Sequence, residues 1–171
     1  EASDIHEEAH KKAGRFIRAK HAFEETIFVR NATEGINLVA YAYAMNELKK
    51  GDEIVSTIME HHANIVPWQF LKEKGVSVKF VDINDEGLLD VEDLNEKVSD
   101  KTKLVACTQA SNVLGTINDV REIAKIAHER EAKILVDGAQ SVPHMPVDVQ
   151  RINCDFLVFS GHKMLAPMGT G

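Results

Sequence analysis

Ile134-Leu135-Val136-Asp137-Gly138-Ala139-Gln140, a short apolar run that ends in an acid, is the stretch that decides the fold. Its length and its β-branched content favour a buried strand over a helix. Residues 118–130, just before it, have helical spacing, with Ile123 and Ile126 on one face and charged side chains on the other. A second apolar run, Leu104 to Thr108, precedes that helix. A strand, a helix and a strand in this order predict a βαβ unit with parallel strands.

The same alternation of apolar runs and helical stretches extends over most of the chain. Helical spacing recurs at residues 33–49, 63–74 and 90–98. Near-continuous apolar runs are typical of parallel strands that are covered on both faces. We therefore predict an α/β fold, a three-layer α/β/α sandwich with a mostly parallel sheet of six strands. The four strands not yet named are predicted at Thr26 to Val29, Glu53 to Thr57, Val78 to Val81 and Phe156 to Phe159.

The composition excludes several classes of protein. With 171 residues, 44% hydrophobic and 27% charged, the chain has the size and balance of one globular domain. Because 27 acidic side chains outnumber 20 basic ones, a nucleic-acid partner is not expected. No apolar run is long enough to span a membrane. Cys107 and Cys154 form no C-x-x-C pair, which favours a reducing compartment, and we expect a cytoplasmic protein.

The N-terminal stretch contains a motif that resembles a zinc site. His6-Glu7-Glu8-Ala9-His10 matches H-E-x-x-H, the helical zinc motif. The extended form of the motif fails, because Ala13 and Phe16 stand where a glycine and the third ligand, a histidine, belong. We therefore predict no metal site here, but the polar face of an amphipathic helix. The buried side of that helix is predicted to include Ile5, Ala9, Ala13, Phe16 and Ile17.

Residues that can hold a phosphate or an aldehyde follow two of the predicted strands. Thr33-Glu34-Gly35 lies between a strand and a helix, where free backbone amides and the Thr33 hydroxyl can bind a phosphate. Ser160 and His162 flank the turn after the last strand and can donate hydrogen bonds to the same group. The amine of Lys163, in that turn, can hold an aldehyde cofactor as a Schiff base. Taken alone, Thr33 is better explained as an ordinary N-cap and Lys163 as an ordinary surface charge.

Three further residues at strand ends suit an aromatic cofactor. Asp137 could pair with a protonated pyridine nitrogen, the ring of His61 could stack on the cofactor, and Asn112 could bond to a ring oxygen. Each also has a structural explanation, as a turn aspartate, a structural histidine or a turn asparagine. The carboxyl ends of parallel strands meet at one edge of a sheet, where such folds bind ligands. The whole set therefore predicts one site. A dinucleotide site is not supported, since no G-x-G-x-x-G opens a helix.

Five motifs in order resemble those of the cysteine desulfurases and selenocysteine lyases, within the class V aminotransferase superfamily of fold type I pyridoxal phosphate enzymes. They are Arg30 to Asn37, His61 to Asn64, Ser111 to Thr116, Asp137 to Gln140 and Ser160 to Lys163. The resemblance implies pyridoxal 5'-phosphate as cofactor and Lys163 as its Schiff-base lysine, with His61 as the stacking and proton-handling residue. The remaining cofactor-binding residues that it implies are Thr33, Glu34, Asn112, Asp137, Gln140, Ser160 and His162.

The implied reaction converts L-cysteine or L-selenocysteine to L-alanine, and the sulfur passes to an enzyme cysteine as a persulfide for iron–sulfur cluster assembly. The resemblance also implies a homodimer and a sulfur-acceptor protein. Two alternatives stay open: another class V enzyme, transaminase-like or kynureninase-like, and a noncatalytic cofactor-binding or scaffold module. Gln109 stands where the family usually has histidine, which could alter proton transfer.

Residues 1–171 resemble only part of the large, cofactor-binding domain of such an enzyme. We expect the N-terminal segment and the C-terminal small domain of the family to be absent, together with the persulfide cysteine. The isolated chain is therefore expected to be inactive as a desulfurase. In the family a further strand lies between the strand ending at Phe159 and Thr26 to Val29, so a slot is expected between these two segments.

Overall fold

The computed structural model describes residues 1–171 as one parallel sheet with helices on both faces. All four strand pairings are parallel, and the strand order is β2-β1-β3-β4-β5. The predicted α/β class is confirmed. The strands are β1 Glu53–Thr57, β2 Ser77–Val81, β3 Thr102–Thr108, β4 Lys133–Asp137 and β5 Phe156–Val158.

The predicted helical stretches form, with interruptions. Residues 33–49 correspond to α2, which continues through a π-helical turn at Ala40–Ala44 into α3. Residues 63–74 are divided into a 3-10 turn at His62–Asn64, α4, and a second 3-10 turn at Phe70–Lys74. No helix is both long enough and apolar enough to cross a membrane. The α-helices are α1 Ala2–Phe16, α2 Ala32–Val39, α3 Met45–Glu47, α4 Val66–Gln69, α5 Val91–Lys97, α6 Val120–His128 and α7 Val149–Ile152.

Alternation along the strands divides the interior into two cores, one on each face of the sheet. Val105 and Cys107 of β3 face the core that contains α5 and α6. Leu104 and Ala106, the intervening residues, face the core that contains α2 and Trp68. Because successive side chains of a strand point to opposite faces, both faces must be apolar and both must be covered. This arrangement gives the three layers that the apolar runs predict.

The predicted strand Thr26 to Val29 is wrong. This segment has no regular secondary structure and lies outside the sheet, with Ile27 67% exposed. Only Val29 exchanges a pair of backbone hydrogen bonds, with Gly171, at 2.9 and 2.7 Å. A groove of about 460 Å³ lies between this segment and β5, where the resemblance predicts a slot. The sheet therefore has five strands, since one pair of bonds is too little to form a strand.

The buried side predicted for α1 is also largely wrong. Ile5 and Phe16 are 69% and 59% exposed, whereas His10 and Gly14 are buried, followed by Ile17. The His10 ring packs edge-on against Phe28, with 4.3 Å between ring centroids. Gly14 lies against the backbone of Ala22, so close that an added Cβ would lie 2.6 Å from the Ala22 Cα. α1 therefore packs closely against Ala22 because Gly14 has no side chain, and not because an apolar side chain is buried there.

The strand order indicates where a ligand would bind. After β1 the chain adds β2 on one side and then crosses to add β3 on the other, so the topology switches between β1 and β3. A crevice at the carboxyl ends of the strands at such a switch point is where open α/β sheets bind ligands. Here the β1–β3 pairing ends at Val55 and Val105, while β3 and β4 stay paired up to Thr108 and Asp137. The strands therefore separate at the edge that carries the candidate residues.

Candidate active site

A polar cleft of about 260 Å³ lies at this edge of the sheet. It is smaller than the groove beside β5, but none of the candidate residues lines that groove. Eight of the nine residues proposed from the sequence for cofactor binding and catalysis meet here. They are Thr33, His61, Asn112, Asp137, Gln140, Ser160, His162 and Lys163.

Glu34 is the residue that the structure does not bring to the cleft. Its carboxylate turns back and accepts hydrogen bonds from the backbone N–H of Arg30 at 2.6 Å and from Arg30 Nε at 2.9 Å. The bond from the Arg30 side chain holds the pKa of Glu34 below its ordinary value. Asn31, not Thr33, caps α2, since Asn31 Oδ1 accepts from the Glu34 N–H at 2.9 Å. The spacing of Asn31 and Glu34 resembles a capping box and is visible in the sequence, but the Glu34 carboxylate bonds to the N–H of Arg30 and not to that of the N-cap residue.

The start of α2 and the turn after β5 are joined by Ser160. The buried Ser160 Oγ accepts a hydrogen bond from the Ala32 N–H at 2.8 Å. Since a hydroxyl can donate and accept at once, Ser160 keeps its own hydrogen for a group in the cleft. His162 and Lys163 follow on the exposed 3-10 turn Gly161–Met164. Hydroxyl, imidazole and ammonium donors therefore line one end of the cleft, as an anionic group requires.

Asp137 is the buried acid of the cleft. It ends β4, is 4% exposed, and its Oδ1 accepts from the Ala139 N–H at 2.9 Å. Burial raises the pKa of Asp137 above its ordinary value, although the Ala139 bond and the charges of Lys163 and His61 act in the opposite direction. A buried carboxylate with too few cationic partners is stabilised by a further positive charge. A protonated pyridine nitrogen would supply that charge.

His61 is held in a defined orientation at the cleft. It caps the 3-10 turn His62–Asn64, and its Nδ1 accepts from the Ala63 N–H at 3.1 Å. The neutral ring must then carry its hydrogen on Nε2. Asn112 and Gln140 line the same cleft. Gln109 does not: it is buried beside the cleft, its backbone N–H donates to Asp137 O at 3.0 Å, and its side-chain Oε1 has no partner. A direct role for Gln109 in proton transfer is therefore not supported.

Glu60 is a residue that the sequence analysis missed. It directly precedes His61, is only 8% exposed, and accepts hydrogen bonds from both β1 and β3 beneath the cleft. A glutamate beside two histidines reads as an exposed polar stretch, so its burial depends on the separation of β1 and β3. The one available signal is its position three residues after the end of a buried strand.

The residues of the cleft fit pyridoxal phosphate. Lys163 supplies a primary amine, Asp137 a buried carboxylate that lacks a full complement of cations, and His61 a flat ring at the surface of the cleft. Thr33 and Ser160 supply hydroxyl groups at the start of α2. These are the partners that the aldehyde, the ring nitrogen, the ring face and the phosphate of this cofactor need.

The comparisons with known proteins agree with this assignment. The family model for class V aminotransferases matches residues 1–171. A probable cysteine desulfurase from Synechocystis is 51% identical over 171 residues, which are 99% of this chain and 40% of that protein. A cysteine desulfurase from Haloferax volcanii is 49% identical over 172 residues, covering 100% of this chain and 40% of that protein. The chain thus spans about two fifths of the length of these relatives.

Solved structures of cysteine desulfurases have the same fold. A cysteine desulfurase from Escherichia coli superposes with a TM-score of 0.94 at 37% identity, over 99% of this chain and 42% of that one. A cysteine desulfurase from Thermococcus onnurineus superposes with a TM-score of 0.92 at 43% identity, over 99% of this chain and 42% of that one. Class V aminotransferases and cysteine desulfurases depend on pyridoxal phosphate. The chain, matched over its whole length, belongs to the class V aminotransferase family.

Proposed function

We propose that this chain is the cofactor-binding core of a pyridoxal phosphate-dependent cysteine desulfurase, which converts L-cysteine to L-alanine and passes the sulfur to a thiol. The observation that carries the proposal is the cleft itself. Residues from five separate sequence motifs converge on it, with the amine of Lys163 and the carboxylate of Asp137 among them. The relatives named cysteine desulfurase support the choice of substrate over that of other class V enzymes.

Each residue has a distinct role in the proposal. Pyridoxal phosphate, when bound, supplies an aldehyde that amines attack and a ring that accepts electrons. Lys163 holds the aldehyde through its Nζ, and Asp137 holds a proton on the ring nitrogen. His61 covers the ring face, and its Nε2 and Lys163 Nζ are the atoms placed to hold or move a proton. Thr33, Ser160 and His162 bind the phosphate, while Asn112 and Gln140 orient the ring oxygen.

The proposal extends to the whole enzyme. We infer that it works as a homodimer, acts on L-cysteine or L-selenocysteine, and delivers sulfur to an acceptor protein in the cytoplasm. The family membership supports an amino-acid substrate. Cys107 and Cys154 are both free thiols, which agrees with a reducing compartment.

The test is to find which lysine bonds to the cofactor. Pyridoxal phosphate is added to the protein, the visible absorption is recorded, borohydride fixes the bond, and peptide masses locate it. We expect a visible band and a modified Lys163. The band should vanish in Lys163→Ala and persist in Lys125→Ala, a matched variant at a lysine 65% exposed and outside the cleft. A visible band that persists in Lys163→Ala would show that Lys163 is not the lysine bonded to the cofactor.

Substrate identity needs the full-length enzyme that carries this segment. With L-cysteine and a reducing thiol it should release alanine and sulfide in equal amounts. Formation of a keto acid instead would favour a transaminase-like enzyme.

A further inference from the structure

Glu60 lies beneath the cleft and is bonded to three segments of the chain. Its Oε1 accepts from the Thr57 hydroxyl at 2.6 Å and from the Thr108 N–H at 2.9 Å. Its Oε2 accepts from Asn64 Nδ2 at 2.7 Å. Thr57 ends β1, Thr108 ends β3, and Asn64 lies in the 3-10 turn that His61 caps. All these residues are buried, so water does not compete for the bonds.

The carboxylate takes the place of backbone pairing where the sheet opens. β1 stays paired with β2 as far as Thr57, but its pairing with β3 ends at Val55. The N–H of Thr108 therefore has no partner in β1 and donates to Glu60 instead. A buried backbone N–H must be satisfied, and here a side chain from the turn after β1 does so.

These bonds connect the two sides of the cofactor cleft. On one side, Glu60 is bonded through the chain to His61 and through Asn64 to the 3-10 turn that carries it. On the other, Thr108 is the register partner of Asp137 in the β3–β4 pairing. We propose, on the basis of the proposed function, that Glu60 is a positioning residue that sets His61 relative to Asp137. It touches neither cofactor nor substrate, and acts through these two residues.

The charge of Glu60 also reaches the site. Burial raises the pKa of Glu60 to about 7, and the nearby Asp137 carboxylate adds to this, while the three hydrogen bonds oppose it. The titratable groups that face it are the Cys107 thiol in β3 and the Asp137 carboxyl in β4. Lys163 and His61 face Asp137 from the far side of the cleft. Ionisation of Glu60 near neutral pH therefore places a second negative charge behind Asp137.

Trp68 provides a readout in the cofactor-free protein. It is the only tryptophan, is fully buried, and its Nε1 donates to Asn64 Oδ1 at 3.2 Å. Because Asn64 donates in turn to Glu60, ionisation of the carboxyl should alter the fluorescence of Trp68. We expect a fluorescence change with a midpoint near pH 7 in the wild-type protein, and none in Glu60→Gln.

The decisive experiment measures cofactor binding in Glu60→Gln. Glutamine keeps the shape of glutamate but presents an N–H to groups that already donate. We expect pyridoxal phosphate to bind at least about tenfold more weakly. The pH at which the bound cofactor's visible band changes should shift as well. Glu53→Gln is the matched control: Glu53 is the first residue of β1, its carboxylate accepts a hydrogen bond from Lys79 at 2.6 Å, and it does not line the cleft. It should leave both measurements unchanged.

A second variant keeps the proposal testable if Glu60→Gln does not fold. Thr57→Val removes one of the three bonds to Glu60 at nearly constant volume, and should weaken cofactor binding in the same direction by a smaller factor. The positioning role alone would be overturned if folded Glu60→Gln bound the cofactor with wild-type affinity and its visible band did not shift. If Glu60→Gln does not fold, the same result in Thr57→Val would overturn it. Failure of the wild-type protein to bind the cofactor would instead overturn the proposed function and this inference with it.

Discussion

Ionisation of Glu60 should make the protein less stable as the pH rises towards neutrality. Burial raises the pKa of this carboxyl from its ordinary 4.5 to about 7, so the folded state holds the proton more tightly than the unfolded state. Between these two values the folded state binds more protons, and the free energy of unfolding falls as the pH rises. At about 1.4 kcal/mol per pKa unit, the loss amounts to about 3 kcal/mol. The loss of stability is complete just above pH 7, and there is no loss at pH values well below 4.5.

Glu60→Gln isolates this effect, because glutamine does not titrate. Urea unfolding of cofactor-free wild-type protein and of the variant is followed by circular dichroism at several pH values from 4.5 to 8. The free energy of unfolding of the variant, minus that of the wild type, should rise by about 3 kcal/mol over this range. Any effect of the amide on stability that does not depend on pH adds the same amount at every pH, so it does not contribute to this rise. Asp137, whose pKa is also raised by burial, is present in both proteins.

Glu53→Gln tests the sign of the reasoning. Burial opposes ionisation of Glu53 as well, but hydrogen bonds from Lys79 and Ser99 outweigh it and lower its pKa. Its contribution is present above the ordinary pKa of 4.5 and is lost as the pH falls below it, so the corresponding difference should stay nearly flat from pH 5 to 8 and change only when the series is extended below pH 4.5. A flat difference for Glu60→Gln, or a difference that falls with rising pH, would refute the assignment of a proton to buried Glu60.

Two packing predictions can be measured by the same urea unfolding at one pH. Gly14→Ala should destabilise the fold by about 2 kcal/mol despite the better helix propensity of alanine, because the new Cβ meets the backbone of Ala22. Gly115→Ala is the control: its φ is +74° and the space around it is open, so it should cost about 1 kcal/mol. Equal costs for the two variants would contradict the close contact between Gly14 and Ala22. Ile134→Ala, at a fully buried residue of β4, should cost about 2–5 kcal/mol, and Ile5→Ala, at a residue 69% exposed, less than about 0.5 kcal/mol. A comparable loss at Ile5 would mean that the predicted amphipathic face of α1 is buried after all.

The sheet was largely predictable because its central strands are covered on both faces. Burial on two sides demands a continuous apolar run, as in Ile134 to Val136, and such runs are visible without any knowledge of their neighbours. Thr26 to Val29 has the same local character but fails as a strand. Strand formation needs a partner along its length, and the sequence of a segment does not say whether one lies beside it.

The error in α1 has a different cause. Hydrophobic periodicity assumes that the buried face is the apolar one, which selects Ile5 and Phe16. The structure buries Gly14 because close approach of two backbones requires a residue without a side chain. A pattern of hydrophobicity cannot register that requirement, since glycine carries no apolar surface to count.

Two glutamates show why the sequence indicated which residues line the cleft better than it indicated the residues behind them. Residues that contact a ligand lie at strand ends, and strand ends can be located from apolar runs; His61, Asp137 and Lys163 were found in that way. Glu34 follows the predicted strand Thr26 to Val29, which does not form, and its hydrogen bonds from Arg30 decide where its carboxylate points. The role of Glu60 depends on β1 and β3 parting after Val55, which is a property of the strand order and not of any segment. A site whose support arises from topology has to be sought at the switch point, among the polar residues that replace the missing backbone pairs.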